Sequence, residues 1–138
     1  KTLAPYDRRL AWCRLMAQDI GAAIEVSDVE SRLPVPSFTI DTLRHLQAAH
    51  PEHRFRLVIG ADVIPQLPDW RDWEGIAADF APIIVGRVGY EAPEGAVTFP
   101  GVSSTEIRRR IVAGEEVSQL ITGRVAADIR EAGWPGRR

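Results

Sequence analysis

The residues best suited to chemistry lie in one hydroxyl-rich segment, GVSSTEIRRR at residues 101–110. Ser103 or Ser104 is positioned to cap a helix, with Glu106 in its first turn. The free backbone N–H groups at that helix start and Arg108, one turn inside the helix, would converge on one point. This combination favours phosphate binding. A capped surface helix with solvated arginines is the alternative that this segment alone leaves open.

A second group of polar and aromatic residues follows an apolar run at residues 55–59. Gly60 allows either a close approach of backbone to a ligand or a tight turn. Asp62 is placed to accept hydrogen bonds from a ribose or another substrate, or else to cap the next helix. Either Trp70 or Trp73 could offer a flat surface on which an aromatic ring stacks, although a tryptophan here is also typical of a core.

The elements that position these residues follow from hydrophobic periodicity and from the glycines and prolines between them. Helices are predicted over residues 6–20, 37–49, 104–113 and 124–132, with a short helical stretch at 68–73 and a helix around 74–79. Strands are predicted at 23–29, 55–59 and 81–85, and a loop at 86–100 with a short strand at 97–99.

The alternation of strands and helices predicts an α/β fold, a Rossmann-like doubly wound parallel sheet. Ligands of such sheets bind beyond the carboxyl ends of the strands, where Gly60 and Asp62 are expected. We therefore predict that the start of the helix after Val102 faces the same crevice as Asp62 and Trp70.

The bulk composition limits the classes of function. A length of 138 residues fits one domain, and a net charge of −2 gives no basic excess for binding nucleic acid. No apolar run approaches the roughly 18 residues that a membrane span needs. The lone Cys13 is predicted to be a buried small hydrophobe, and a reducing cytoplasmic setting follows as the default.

The histidines do not indicate a metal centre. His45 falls inside a predicted helix, whereas His50 and His53 flank a turn before a strand. No further cysteine or histidine ligand supports a metal site there, so all three are interpreted as ordinary polar residues.

Taken together, five segments resemble the nicotinate-nucleotide adenylyltransferase family of the nucleotidyltransferase α/β-phosphodiesterase superfamily. They occur in the family's order, with similar gaps, over most of residues 1–132. The segments are SFTIDTL at 37–43, VIGAD at 58–62, LPDW at 67–70, VGR at 85–87 and VSSTEIR at 102–108.

The resemblance implies adenylyl transfer from ATP to nicotinate mononucleotide with Mg²⁺, giving deamido-NAD and pyrophosphate. It also implies two sets of ATP-binding residues. Gly60 and Asp62 match the segment that lies against the nucleotide. The residues that match the phosphate-binding motif are Ser103, Ser104, Thr105 and Arg108, of which Arg108 is the candidate catalytic residue.

The resemblance further implies a substrate end. Ser37 and Thr39 match a segment that holds the nicotinate group, and Trp70 matches the tryptophan that stacks on the pyridine ring. Arg87 falls on a recurrent arginine whose contact stays open. Two positions depart from the family pattern: Phe38 replaces the usual tyrosine, and Arg71 stands where an aromatic residue is frequent.

One family motif is not found, a Gly-rich first strand that ends in a His-x-Gly-His-like sequence. The resemblance begins only at Lys1, so we expect this single nucleotidyltransferase-like domain, residues 1–138, to be the later part of a longer polypeptide that carries the first β-α-β unit. The alternatives are a noncatalytic nucleotide-binding relative, and an adenylyltransferase for nicotinamide mononucleotide or phosphopantetheine. The sequence leaves the oligomeric state open, a homo-oligomer included.

Overall fold

The computed structural model describes residues 3–21 and 23–134 and divides the chain into two compact units. One unit is formed by the described parts of residues 1–28 and 102–138, and the other by Val29–Gly101. The helices and strands, in chain order, are α1 (Tyr6–Ile20), α2 (Thr39–Ala49), β1 (Val58–Gly60), α3 (Trp73–Phe80), β2 (Ile83–Arg87), β3 (Thr98–Phe99), α4 (Ser104–Ala113) and α5 (Gly123–Glu131). Short 3₁₀ helices occupy Val29–Arg32 and Ala61–Asp69.

The unit of residues 29–101 contains a three-stranded parallel sheet in the order β1-β2-β3. Ile59 lies opposite Ile84 in the first ladder, and Gly86 lies opposite Thr98 in the second. Gly86 permits this second pairing, because a Cβ there would lie 2.5 Å from the Thr98 hydroxyl oxygen and 3.2 Å from the Thr98 Cα. The parallel strands and the helices between them confirm the predicted α/β class.

Helices α2 and α3 supply the core of this unit. Ile40 and Leu43 of α2 pack with Ile76 and Phe80 of α3, and all four side chains are buried. The spacing of these apolar residues, three or four apart on each helix, is what places them on one face. This core is the surface on which the neighbouring tryptophans rest.

The other unit is held by contacts between α1 and α5. Val125, Ala126 and Ile129 of α5 are buried. The indole N–H of Trp12 donates to the Asp128 carboxylate at 2.7 Å, and Arg8 pairs with the same carboxylate at 3.2 Å. These contacts orient α1, none of whose residues is fully buried.

The structure corrects the prediction for Cys13, which is exposed. Helix α1 turns Trp12 toward Asp128, and successive side chains of a helix point about 100° apart. The neighbouring thiol therefore points away from that contact. The helical spacing from which the burial of Cys13 was predicted marks a face of α1 that is not buried.

The structure also corrects the predicted strand at 23–29, which is a turn and irregular chain before the 3₁₀ helix Val29–Arg32. Among the described residues this segment joins neither ladder of the sheet. A strand is stabilised by a hydrogen-bonded neighbour, and β-branched residues alone do not provide one. Ile24 is 48% exposed, so the segment also lacks apolar cover.

Several further boundaries differ from those predicted, among them the start of α2, which begins at Thr39 rather than at residue 37. The 3₁₀ helix ends at Asp69, so residues 70–72 form a turn rather than part of a helical stretch at 68–73. Asp72 adopts a left-handed conformation, with φ 52°, and caps α3 through a 3.1 Å bond from the Gly75 N–H. Strands β1 and β2 begin later than predicted, β2 because Ala81 is also left-handed, with φ 37°.

Candidate functional site

A pocket of about 240 Å³ lies at the amino end of α2 in the unit of residues 29–101. It brings together two segments that are distant in sequence. Ser37, Phe38 and Thr39 form one side, and Asp69, Trp70 and Arg71 form the other. Three residues predicted for the substrate end, Ser37, Thr39 and Trp70, thus line a single pocket.

Trp70 is fixed where the 3₁₀ helix Ala61–Asp69 ends. Its backbone N–H donates to the Leu67 carbonyl at 3.1 Å. Its ring meets that of Trp73 edge to face, with 6.3 Å between centroids, and it packs against the buried cluster of α2 and α3. The interpretation of Trp70 as a core residue is therefore confirmed, and the same ring also lines the pocket. Its use as a stacking surface for a ligand stays a prediction.

The start of α2 borders the pocket and contributes backbone donors to it. Phe38 stands at the N-cap position and makes no side-chain capping bond. The first N–H groups of a helix have no acceptor within it, and the helix dipole is positive at that end. The hydroxyls of Ser37 and Thr39 flank this terminus, so the pocket offers hydrogen-bond donors beside an aromatic wall.

Asp62 is held by an ion pair in the same unit, a contact that the sequence did not indicate. Arg87, at the end of β2, donates to its Oδ2 at 2.5 Å, and both side chains are less than a third exposed. The second oxygen lies over Gly60, where a Cβ would be 2.5 Å away. Glycine at position 60 thus lets the carboxylate fold back over the end of β1.

The alternative interpretation of Asp62 as a helix N-cap is wrong. The 3₁₀ helix begins at Ala61 with Gly60 at the cap position, and Asp62 lies inside the first turn without a capping bond. The pairing with Arg87 brings together two residues that the sequence assigned to different ligands, Asp62 to the nucleotide and Arg87 to the substrate. Asp62 follows β1 and Arg87 ends β2, and these two strands are parallel neighbours. Adjacent parallel strands end side by side, which brings the two side chains together.

The hydroxyl-rich motif begins α4 in the other unit. Ser103 is the N-cap, and its Oγ accepts a hydrogen bond from the Glu106 N–H at 3.1 Å. This settles the choice between Ser103 and Ser104. Ser104 and Thr105 occupy the first turn and are exposed, so their hydroxyls and the free N–H groups of the helix start are available to an anion.

The three consecutive arginines of α4 have different surroundings. Arg109 pairs with Glu106 and Glu115 at 2.9 and 2.6 Å, and Arg110 pairs with Glu106 at 2.7 Å. Hydrogen bonds from Arg109 and Arg110 lower the pKa of Glu106 from 4.5 to about 2. The first-turn glutamate is therefore ionised and already satisfied by two of the arginines.

Arg108 is the arginine of this set that no carboxylate neutralises within the described part of the chain. Its guanidinium donates to the Thr105 hydroxyl at 3.2 Å and lies 5.9 Å from the centre of the Trp134 ring. The hydrogen bond directs it back toward the first turn of the helix. Of the three arginines, Arg108 is the one whose charge is free to meet an anion there.

The described residues include no group of three or more His, Cys, Asp or Glu side chains that could hold a metal ion. The His50 and His53 rings stack with centroids 5.8 Å apart, and Glu52 lies 3.6 to 3.8 Å from both. None of the helices in the part of the chain that the structure describes is both long and apolar enough to cross a membrane.

Comparison with known proteins finds close sequence relatives. A probable nicotinate-nucleotide adenylyltransferase of Anaeromyxobacter sp. (strain K) is 40% identical over 136 residues, which are 96% of this chain and 72% of the relative. One of Myxococcus xanthus (strain DK1622) is 33% identical over 137 residues, or 99% and 72% of the two chains. A scan against models of protein families finds no match.

Solved structures show the same architecture. Plasmodium falciparum nicotinic acid mononucleotide adenylyltransferase complexed with NaAD superposes with a TM-score of 0.75 at 18% identity, over 97% of this chain and 76% of that one. The same enzyme complexed with APC gives a TM-score of 0.74 at 18% identity, over 96% and 76%. At these identities the likeness establishes the Rossmann-like fold alone.

Proposed function

The chain belongs to the nicotinate-nucleotide adenylyltransferase family, and we propose that it transfers the adenylyl group of ATP to nicotinate mononucleotide. A phosphate oxygen of the mononucleotide attacks the α-phosphorus of ATP and forms a new P–O–P linkage. The bond from the α-phosphorus to the oxygen bridging to the β-phosphorus breaks, and pyrophosphate leaves with that electron pair. The products are deamido-NAD and pyrophosphate, as in NAD biosynthesis.

The observation that carries this proposal is the pocket at the start of α2. A pyridine ring needs a flat aromatic surface, and its carboxylate needs hydrogen-bond donors. Trp70 supplies the surface, while Ser37, Thr39 and the first N–H groups of α2 supply the donors. Family membership names the ligand class, and the pocket offers what that ligand requires.

We assign the triphosphate to the start of α4. The reaction brings two anions together, so the protein must mainly position them and offset their repulsion. The hydroxyls of Ser103, Ser104 and Thr105 lie at a helix terminus that favours negative charge. Arg108, without a carboxylate partner among the described residues, is the candidate catalytic side chain, since its charge would stabilise the transferring group.

We assign Gly60 and Asp62 to the nucleotide side and Arg87 to the substrate side. The ion pair holds the Asp62 carboxylate in place at the end of β1. Its second oxygen could accept a hydrogen bond from a ribose hydroxyl, as the sequence suggested. The main role of Arg87 would then be to position Asp62. A direct contact between Arg87 and the mononucleotide would be a second role.

Mg²⁺ is the expected companion of ATP in this reaction, where it would neutralise phosphate charge. The described residues do not form a metal-binding cluster of their own, and Mg²⁺ bound to a nucleotide takes most of its ligands from phosphates and water. No protein ligand is therefore assigned to it. The cytoplasmic location and the homo-oligomeric state of this protein, both taken from the sequence, stay predictions.

A side-by-side assay tests the substrate. The purified full-length polypeptide that contains this chain is given ATP and Mg²⁺ with nicotinate mononucleotide, nicotinamide mononucleotide or phosphopantetheine, and pyrophosphate release is measured for each. We expect the highest kcat/KM with nicotinate mononucleotide. An equal or reversed preference would contradict the substrate assignment.

A further inference from the structure

The two positions that depart from the family pattern contact each other in the pocket. The Arg71 guanidinium carbon lies 4.7 Å from the centre of the Phe38 ring, within the range of a cation–π interaction. Both residues line the pocket together with Ser37, Thr39 and Trp70. The five N–H donors of a guanidinium point outward in its own plane, so a guanidinium held over a ring can still donate hydrogen bonds to a ligand.

Arg71 retains most of its hydrogen-bonding capacity. Its side chain is 59% exposed, and its contact with Asp41 is a single long one of 3.5 Å. A guanidinium carries five N–H donors, so one such contact leaves the others to a ligand. Among the described residues that line the pocket, Arg71 is the one cation, and Asp69 is the one anion.

This arrangement distinguishes a ring that bears a carboxylate from one that bears an amide. A carboxylate matches the fork of a guanidinium and can accept two hydrogen bonds from it. An amide presents to the same guanidinium donors either its NH₂ group, which is itself a donor, or its single acceptor oxygen. The pyridinium ring is itself positive, so the ring with its amide carries a charge of +1 beside Arg71, whereas the ring with its carboxylate has no net charge.

We propose that Arg71, which lies over the Phe38 ring, binds the ring carboxylate of the mononucleotide and sets the preference for the acid over the amide. The inference rests on the function proposed above, because it takes the pocket to hold the pyridine ring. Asp41 competes with the ligand for the guanidinium, since its carboxylate lies 3.5 Å from Arg71.

The test compares nicotinate and nicotinamide mononucleotides in binding and in kcat/KM, for the wild type and for Arg71→Leu, Arg71→Lys and Asp41→Asn. Loss of a charge-assisted hydrogen bond weakens binding roughly tenfold to a hundredfold. Arg71→Leu should therefore lower the acid-to-amide ratio by about tenfold or more, through loss on the acid alone. Arg71→Lys should keep part of the ratio, and Asp41→Asn should raise it.

The matched control is Arg54→Leu, which removes the same charge from an exposed position outside the pocket and should leave the ratio unchanged. An unchanged ratio in Arg71→Leu would overturn the inference, as would an equal loss on both mononucleotides, which would place Arg71 at their shared phosphate. If Arg71→Leu does not fold, the ratios of Arg71→Lys and Asp41→Asn decide. A full-length wild-type polypeptide that adenylylates neither mononucleotide refutes the proposed function instead.

Discussion

At the residue scale, phosphate binding depends on which arginine side chains are free and which are already paired with carboxylates. Arg109 and Arg110 are bound to Glu106, while Arg108 has no carboxylate partner among the described residues. Residues three and four apart lie on the same face of a helix, and Glu106 precedes Arg109 and Arg110 by these two spacings. The sequence could thus have separated these arginines, whereas the contact of Asp62 with Arg87 joins two segments and gave no local signal.

Replacing Arg108 by Ala tests the phosphate assignment. We expect kcat/KM for ATP to fall about tenfold to a hundredfold, from the loss of a charged hydrogen bond. The free energy of unfolding should change by less than about 0.5 kcal/mol, because a surface arginine without an ion pair contributes little. Steady-state kinetics and urea unfolding measure the two effects.

Arg109→Ala is the matched control for that variant. It removes an arginine from the adjacent position, but one engaged by Glu106 and Glu115. It should alter stability more than the use of ATP. If Arg108→Ala instead loses stability while a folded fraction keeps normal ATP affinity, the phosphate role is wrong.

Replacing Trp70 by Phe tests the ring-binding surface. The smaller ring keeps an apolar contact with the α2–α3 core but reduces the area on which a pyridine could stack. We expect KM for nicotinate mononucleotide to rise severalfold while KM for ATP stays the same. Equal changes in both constants would indicate a general loss of packing, and Trp73→Phe, in the neighbouring ring, serves as the control.

At the element scale, helix termini position the chemistry. Ser103 caps α4 with its side chain, but Phe38 makes no capping bond at the start of α2. The first-turn Glu106 complements the dipole of α4 and anchors the arginines of the same helix. Hydroxyl residues and periodicity predicted α4 to the residue, because caps and the following Gly114 are local signals.

The stability of α4 should depend on pH through Glu106. Its pKa in the folded protein, about 2, lies below its ordinary value of 4.5 because Arg109 and Arg110 hold the charged form. The stabilisation is therefore complete above about pH 4.5 and is lost as pH falls toward 2. Thermal unfolding midpoints of the wild type and Glu106→Gln, measured at pH 6 and pH 3, should differ more at pH 6.

The comparison variant is Glu94→Gln, an exposed loop position. It should change the midpoint little at either pH. A Glu106→Gln variant that tracks the wild type at both pH values would show that the pairs with Arg109 and Arg110 contribute nothing to stability.

At the scale of the whole molecule, the order and type of most elements could be predicted from the sequence. The strand predicted at 23–29 is not formed, and its local sequence gives no sign of this. A strand depends on pairing with a neighbouring strand, which sequence periodicity does not reveal. Likewise, β2 begins at Ile83 because Ala81 is left-handed, and it includes Gly86 because β3 pairs there. The pocket was predicted only through resemblance, and the position of Arg71 over the Phe38 ring needed the fold.

The most direct measurement of the central claim follows the α-phosphorus of ATP. The full-length polypeptide that contains this chain is incubated with Mg²⁺, nicotinate mononucleotide and ATP labelled at that atom, and the products are separated. The account predicts that the label appears in deamido-NAD with one pyrophosphate released for each dinucleotide formed. Label that stays in bound ATP, or is released as AMP without a dinucleotide, would contradict adenylyl transfer.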